Sequence, residues 1–572
     1  MKRGSFLPIA SWLPAYQRKY LVADLQAGLT VGVMLIPQGM AYALLAGMPP
    51  IYGLYASLLP LLLYALFGSS MHLSVGPTAL VSLLVFTGLT PLAEAGSPAY
   101  ISMAITVGLM AGLLQVLLGL FRLGFLVNFL SHPVLSGFTS AAAFIIGFSQ
   151  LKHLLGLSIT PSGRIYELLP QFWASRGDIH GVALLVGLVS IALMVGLRRW
   201  RSSLPAALLT VILGIVVVWL GQLDTRTGLA IVGDVPRGLP PLGWPALNAE
   251  SAGRLLPLVL TITLISFIES LAIAKAIQRR HTHYAIRPNQ ELLALGISKI
   301  GGALFSAFPT TGSFTRSAVN EQAGAKTTLS SIVAALLLGI TLLFFTPLFY
   351  FLPKAVLAAI IMMAVVSLVD VGEMRYLWRT DRRDFLTFAI TFGTTLLLGI
   401  QLGILVGVVL SLALMIYRQS KPNIAVLGRL PGTTYYRNIS RFKQAEQHDE
   451  LLIVRFDAPL YFGNAAFFKD RLLRLLDRET RDLGMLVLDA SAMPDMDSTG
   501  AKAMSDVLNY LQDRQLRFAL SGATGPVRDL LKRHGLMDAI GRDNQFLYIQ
   551  DAVADYRQEA STSRHDPTQT NI

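Results

Sequence analysis

The sequence predicts a polytopic α-helical membrane protein built from two inverted halves and followed by a small cytoplasmic α/β domain. Three observations carry that expectation. Of the 572 residues, 53% are apolar and only 14% are charged, with a mean hydropathy of +0.56. A soluble chain carries roughly a quarter charged residues to cover its surface. Apolar stretches near the ~20 residues that cross a bilayer core recur along the chain. A Gly/Pro-interrupted segment in the first half, SVGPTALVSLL (74–84), has a counterpart in the second, FPTTGSFTRSAVNEQAG (308–324).

Taken in order, residues 1–23 form an N-terminal cytoplasmic or interfacial segment, with Trp12, Tyr16 and Tyr20 near the headgroups. They lack the short apolar run and small-residue end of a cleavable signal. Residues 24–421 hold about fourteen spans, one group from near Asp24 to near Leu220, the other from near Arg254 to near Tyr417. Counting loops from the N-terminus, the even ones hold most of the basic residues: Arg122; Arg198, Arg199 and Arg201; Arg279, Arg280 and Arg287; Arg375, Arg379, Arg382 and Arg383; then Arg418 and Lys421 after the last span. The odd loops are poorer, with Lys152, Arg164 and Arg176 in one and Arg226 and Arg237 in another. Both termini are therefore expected in the cytoplasm. The net charge of +13 follows from this topology, and no basic patch argues for nucleic acid.

Asp24 and Arg254 open the two groups at an offset of 230 residues, and Gly76 and Gly312 repeat at 236. Each group has an odd number of spans, about seven, so the repeat is inverted in the membrane. Interrupted segments at matching places in inverted halves point to a transporter's binding site. A helix that begins at mid-membrane leaves its first N–H groups unpaired and partly positive. Lipid does not tolerate such a break, whereas a protein-lined cavity does. Two opposed helix N-termini, at about half a charge each, together with Arg316 give about +2. That charge suits a small anion, a divalent one above all.

These residues resemble the sulfate permease family of anion transporters, and the likeness runs from Asp24 to about Tyr556. The first two spans, LIPQGMAYALLAGMPPIYGLYASLLPLLLYALFGSS, match the family signature at Pro50, Gly53, Leu54, Tyr55 and Gly68-Ser69-Ser70. The resemblance implies a uracil-permease-like fold of seven plus seven inverted spans, in which a core domain moves against a gate domain. It places the anion between two half-helices, at Ser74, Val75, Gly76, Thr78 and Ala79 on one side and Gly312, Ser313, Phe314, Thr315 and Arg316 on the other. Gln38 and Tyr42, one turn apart in the first span, are implied to join them. Glu269 lies 231 residues beyond Gln38, inside a span, where a carboxyl group is functional by default and burial favours its protonated form. It is expected to carry a coupling proton. Permanent pairing with Arg316 is its structural alternative. Sodium-coupled bicarbonate members resemble this stretch but carry aspartate at this position and threonine four residues on. Here Ile273 stands at the second position and offers no oxygen to a hard cation. Asn320, on the face of Arg316, is expected to orient it.

Beyond Arg418 the composition changes. Residues 422–449 read as a polar linker with turn chemistry. Residues 450–556 alternate strand-like runs (LLIVRF, GMLVLDAS, RFALSGA) with amphipathic helices, the mark of an α/β unit. It resembles a STAS domain, with MDSTG (496–500) as its matching loop. There Ser498 is either a phosphorylation site or, with Asp497, the cap of the next helix. Residues 557–572 are polar enough to be disordered.

The expected function is secondary transport of a small inorganic anion by alternating access, sulfate with protons foremost. Bicarbonate, another oxyanion or a dicarboxylate, and anion exchange, are the alternatives. An anion channel and a STAS-mediated sensor are readings of other classes. The expected partners are the anion, protons, lipid and a second copy in a homodimer, in the inner (plasma) membrane. No cofactor or metal is expected. The chain has no cysteine, which removes thiolate sites. It has no phosphate-binding GxxxxGK[ST] loop and no assembled nucleophile and base, so enzyme activity is not expected.

Overall fold

The computed structural model describes residues 7–125, 131–157, 159, 165–200, 205–245, 249–281 and 284–563. Arg164, Arg201 and residues 564–572 of the expected tail lie outside them. The chain forms two compact units, Met1–Ser411 and Leu412–Ile572.

Between Leu21 and Ser420 one order of elements occurs twice, its last helix crossing the boundary between the units. The first half runs α1 (Leu21–Leu45), α2 (Pro50–Phe67), strand β1 (Val75–Gly76), a short α3 (Ala79–Leu89), α4 (Pro98–Leu120), α5 (His132–Leu155), a connecting α6 (Ile165–Ala174), α7 (Gly181–Trp200) and α8 (Ala206–Gly221). The second runs α9 (Ala249–Gln278), α10 (Pro288–Leu304), β2 (Thr311–Gly312), a short α11 (Phe314–Gln322), α12 (Leu329–Ile340), α13 (Lys354–Val365), a connecting α14 (Val371–Thr380), α15 (Arg382–Leu398) and α16 (Ile400–Ser420). A π turn and a 3-10 turn extend α12 to Phe349. Among the described residues, seven helices are long and apolar enough to cross a membrane. Several helix starts in this region are written in the sequence. Pro50, Pro98, Pro133 and Pro288 stand in first turns, where no intrahelical N–H is lost. Ser97 caps α4 by accepting from the Tyr100 N–H at 3.2 Å.

Two packing groups emerge. In one, α4 lies on α10, α12 on α1 and α2, and α2 on α10; in the other, α5 packs on α13 and α15, and α7 on α13. Glycine permits the closest approaches. A Cβ on Gly53 would stand 1.9 Å from the Gly39 carbonyl oxygen, so α1 and α2 touch backbone to backbone. Two buried carboxylates tie distant parts together. Asp24 accepts from the Lys326 and Thr327 N–H groups at 2.7 and 3.1 Å and from Thr327 Oγ1 at 2.8 Å. It thus fixes the start of α1 to the turn before α12. Glu291 accepts from Tyr64 Oη at 2.7 Å, the Ser69 N–H at 2.8 Å and Ser69 Oγ at 2.6 Å. That is the task of the Gly68-Ser69-Ser70 motif: it binds α10 to the end of α2.

The second unit is a six-stranded sheet of order β4-β3-β5-β6-β7-β8, with β3 Ile424–Arg429, β4 Tyr436–Asn438, β5 Leu451–Phe456, β6 Met485–Asp489, β7 Arg517–Ser521 and β8 Gln545–Phe546. From β5 to β8 neighbours are parallel, while β3 runs antiparallel to both β4 and β5. Helices α17 (Ala465–Arg478), α18 (Ser498–Asp513), α19 (Gly525–Arg533) and α20 (Leu536–Ile540) cover one face through Phe468, Leu472, Val507 and Leu531. A last helix, α21 (Ile549–Ser563), covers the other through Ala552 and Val553, against Leu427, Ile453 and Val487.

Two expectations are corrected here. The stretch 422–449 is not a linker throughout, because Ala425 and Leu427 alternate inward and make β3 an integral strand. Residues 557–563 of the expected disordered tail are helical, because α21 runs on to Ser563. In the MDSTG loop Asp497 is the cap: its Oδ1 accepts from the Gly500 N–H at 2.7 Å. Ser498 opens α18 and is exposed.

Because the α1–α2 contact has no room for a methyl group, Gly53→Ala is expected to separate these spans. Overpacking costs about 1–3 kcal/mol where side chains give way, and more where backbone meets backbone. Thermal unfolding of the detergent-purified variant should begin well below that of the unaltered protein.

Candidate functional site

The site is built around the junction of the two short helices. Each is preceded by a two-residue strand, and the strands pair antiparallel, Val75 opposite Gly312 and Gly76 opposite Thr311. The matching glycines are thus staggered rather than opposed. Around the junction the Ser313 N–H donates to the Ser74 carbonyl at 3.0 Å, and the Ser74 N–H to Ser317 Oγ at 2.9 Å. The Gly312 N–H donates to Ser270 Oγ at 2.8 Å. Backbone groups of both interruptions are thus paired, partly across the repeat and partly with the Ser270 hydroxyl of α9, as burial without water demands.

The two helix starts differ. Ser313 caps α11, its Oγ accepting from the Arg316 N–H at a long 3.5 Å. Thr78, at the start of α3, makes no side-chain cap, and its buried Oγ1 has no partner among the described residues. Arg316 is the largest fully buried side chain, at 0% exposure. Its Nη1 donates to the Pro77 carbonyl at 2.9 Å, while Nε and Nη2 have no partner among the described residues. Gly76 makes room for it: a Cβ there would lie 3.2 Å from Arg316 Nη2. Gln38 Oε1 and Ser74 Oγ are likewise buried and unpaired. Unsatisfied buried polar atoms are rare enough to require a reason, and several occur around this junction.

A cavity of about 310 Å³ opens at the two helix starts. Of the expected residues, Tyr42, Thr78, Ala79, Glu269, Ser313, Phe314 and Thr315 line it, as does Ile273. Gln38, Ser74, Val75, Gly76, Gly312 and Arg316 are buried rather than on its wall. Glu269 has one oxygen, Oε2, with no partner among the described residues. It lies within electrostatic reach of Arg316, yet no ion pair joins the two among the described residues. Asn320 does not orient Arg316 by a hydrogen bond of its own; its Nδ2 donates to the His72 carbonyl at 3.1 Å and so steadies the approach to β1.

The opposite wall was not foreseen. It comes from α5, through His132, Leu135, Ser136 and Thr139, and from the end of α13 and beyond, through Ala364, Leu368 and Asp370. The spacing of 132, 136 and 139 puts three polar residues on one helical face, a signal the sequence did contain. His132 Nδ1 lies 3.0 Å from Glu373 Oε1 at the start of α14. A second buried cation, Lys299 in α10, was also missed, though it stands alone in an apolar run.

Comparison with known proteins agrees with this architecture. The sulfate permease family model matches residues 21–391 and the STAS domain model residues 442–552. Sulfate transporter 4.1, chloroplastic, of Arabidopsis thaliana is 40% identical over 567 residues, covering 96% of this chain and 82% of that protein. The structure of murine solute carrier 26 family member A9, an anion transporter in the inward-facing state, aligns with a TM-score of 0.89 at 26% identity, over 97% of this chain and 94% of that one. The transmembrane domain of a cyanobacterial bicarbonate transporter aligns with a TM-score of 0.59 at 27% identity, covering 69% of this chain and 98% of that one. The doubled order of helices, the paired interruptions and the appended sheet therefore have one common source: the chain belongs to the sulfate permease family and carries a STAS domain at its C-terminal end.

Proposed function

We propose that the protein is a secondary active transporter that takes up a small inorganic anion, sulfate foremost, together with protons. The observation that carries this reading is the guanidinium of Arg316, fully buried with two of its three nitrogens unpaired beside the uncapped start of α3. A buried cation without a counter-ion is costly, and an oxyanion supplies both the charge and a pair of oxygens that can accept from the planar guanidinium fork. The N-termini of α3 and α11 add their partial charges. Tyr42, Gln38, Ser74, Ser313 and Thr315 offer hydroxyl and amide groups to the remaining oxygens. The sulfate transporter of Arabidopsis favours the same substrate by its similarity.

Transport then proceeds by alternating access. The anion rides on the helices that carry the junction, and α5 with the end of α13 forms the wall against which they move. Glu269 faces the cavity with a free oxygen. Ionised, it repels an entering dianion; protonated, it admits the anion and carries the proton with it. This reading includes the plasma (inner) membrane as the location, with both termini in the cytoplasm as the basic residues of the even loops favour, and a homodimer as the assembly. Bicarbonate is the second reading, favoured by the likeness to the cyanobacterial transporter. The apolar Ile273 on the cavity wall speaks against a bound sodium ion in that case.

In proteoliposomes, Arg316→Ala is expected to weaken sulfate binding by about a hundredfold or more in a protein that remains folded, and Arg316→Lys to retain part of it. Wild-type affinity in the alanine variant would remove this site from the mechanism.

Glu269→Gln is expected to bind sulfate and to support counterflow exchange, while uphill accumulation driven by an inward proton gradient disappears. Accumulation that survives the substitution excludes Glu269 from coupling. Loss of exchange and accumulation together marks it as structural.

Removing the chain from Lys421 onward, so that β3 leaves with its sheet, is expected to preserve sulfate binding in detergent and to lower transport. Calorimetry on the truncated protein decides, and lost binding would contradict an intramembrane site.

A further inference from the structure

Lysine is expensive inside a membrane unless it meets partners or a cavity. Lys299, in the middle of α10, is 3% exposed. Its Nζ donates to Gln115 Oε1 at 2.9 Å. The orientation of Gln115, itself fully buried, is set by its other end, because Nε2 donates to the Thr263 carbonyl at 3.0 Å and to Ser266 Oγ at 2.9 Å. The amide oxygen is thereby turned toward the lysine. From Ser266 the chain of bonds continues. The Ser266 carbonyl accepts from Thr311 Oγ1 at 2.9 Å, Thr311 Oγ1 lies 3.0 Å from Ser270 Oγ, and Ser270 Oγ receives the Gly312 N–H. An unbroken network thus joins Lys299 to β2, beside the junction. Among the described residues no carboxylate forms an ion pair with Lys299, and Glu269 is within its electrostatic reach.

A buried lysine with one hydrogen bond and no paired carboxylate among the described residues is, in its protonated form, a source of field. We propose that Lys299, when protonated, is a second positive charge of the anion site, acting without contact, and that it sets the site's preference for divalent over monovalent anions. The proposal rests on the reading of the junction as the anion site. Coulomb's law gives it a quantitative signature. A fixed charge at a given distance stabilises a dianion by twice the free energy of a monoanion. Removing that charge therefore weakens monovalent binding by some factor and divalent binding by its square. Structural damage has no such rule and lowers both alike.

The test is calorimetric titration of full-length purified protein with sulfate and with nitrate at one pH. Lys299→Gln keeps a donor for Gln115 and removes the charge, Lys299→Met removes both, and Lys299→Arg keeps the charge. Both neutral variants are expected to lose nitrate affinity by about five- to tenfold and sulfate affinity by about the square of that factor, with arginine restoring the ratio. Equal losses for the two anions, or no loss for either, overturn the proposal and leave Lys299 a neutral or structural side chain. If sulfate fails to bind the unaltered protein, or binds Arg316→Ala as well as it binds the unaltered protein, the site reading fails, and this inference with it. A ratio unchanged in the lysine variants while Arg316→Ala loses sulfate refutes the inference alone.

Discussion

Everything in the membrane unit depends on one constraint: a helix interrupted where water is absent must find partners for the backbone groups it frees. The chain meets it by making each interruption the partner of the other. Val75–Gly76 and Thr311–Gly312 pair antiparallel, and hydroxyls from Ser270 and Ser317 accept two of the neighbouring N–H groups. Antiparallel pairing requires that the segments enter from opposite directions, which is what inversion of the two halves supplies. The helix starts that result are held within one small region. Their remaining positive character, with the buried guanidinium beside them, defines what the region can accept.

Two sets of buried polar groups inside the unit differ in how fully they are hydrogen-bonded. Asp24 and Glu291 are fully buried carboxylates whose oxygens are engaged by backbone and hydroxyl donors; they hold ends of helices together. Arg316, Gln38, Thr78 and Glu269 each retain an unengaged atom. Burial alone does not tell the two sets apart. What does is whether hydrogen bonding is complete.

Much of this was legible beforehand, and the physical reasons are specific. Gly/Pro breaks inside apolar runs stand out because so few residues are tolerated there, so both interruptions and Arg316 could be named from the sequence. Glu269 was visible as a lone carboxyl group in a span. The α5 wall was harder to see, since His132, Ser136 and Thr139 show a polar face only once a helical period is imposed. Lys299 carried a clear signal, a single charge in an apolar run, but its link to β2 passes through Gln115 on another helix, a contact that spacing cannot reveal. In the second unit, β3 hid behind Pro431 and Gly432, which mark the turn that follows it rather than a linker. The order of α21 was hidden by its polar composition, because only a narrow apolar face, with Ala552 and Val553, holds it to the sheet.

The pairing of β1 with β2 also bears on how the molecule is made. Residues 75–76 leave the ribosome about 235 residues before their partners at 311–312, which is on the order of tens of seconds of synthesis. Through that interval the first half carries an interruption whose backbone has no partner of its own, so it cannot settle in lipid as a finished unit. The two halves repeat one order of elements, yet each supplies partners for the interruption of the other. The junction can therefore form only after β2 has been made, and until then the N–H groups of the first interruption lack the partners they have in the finished structure.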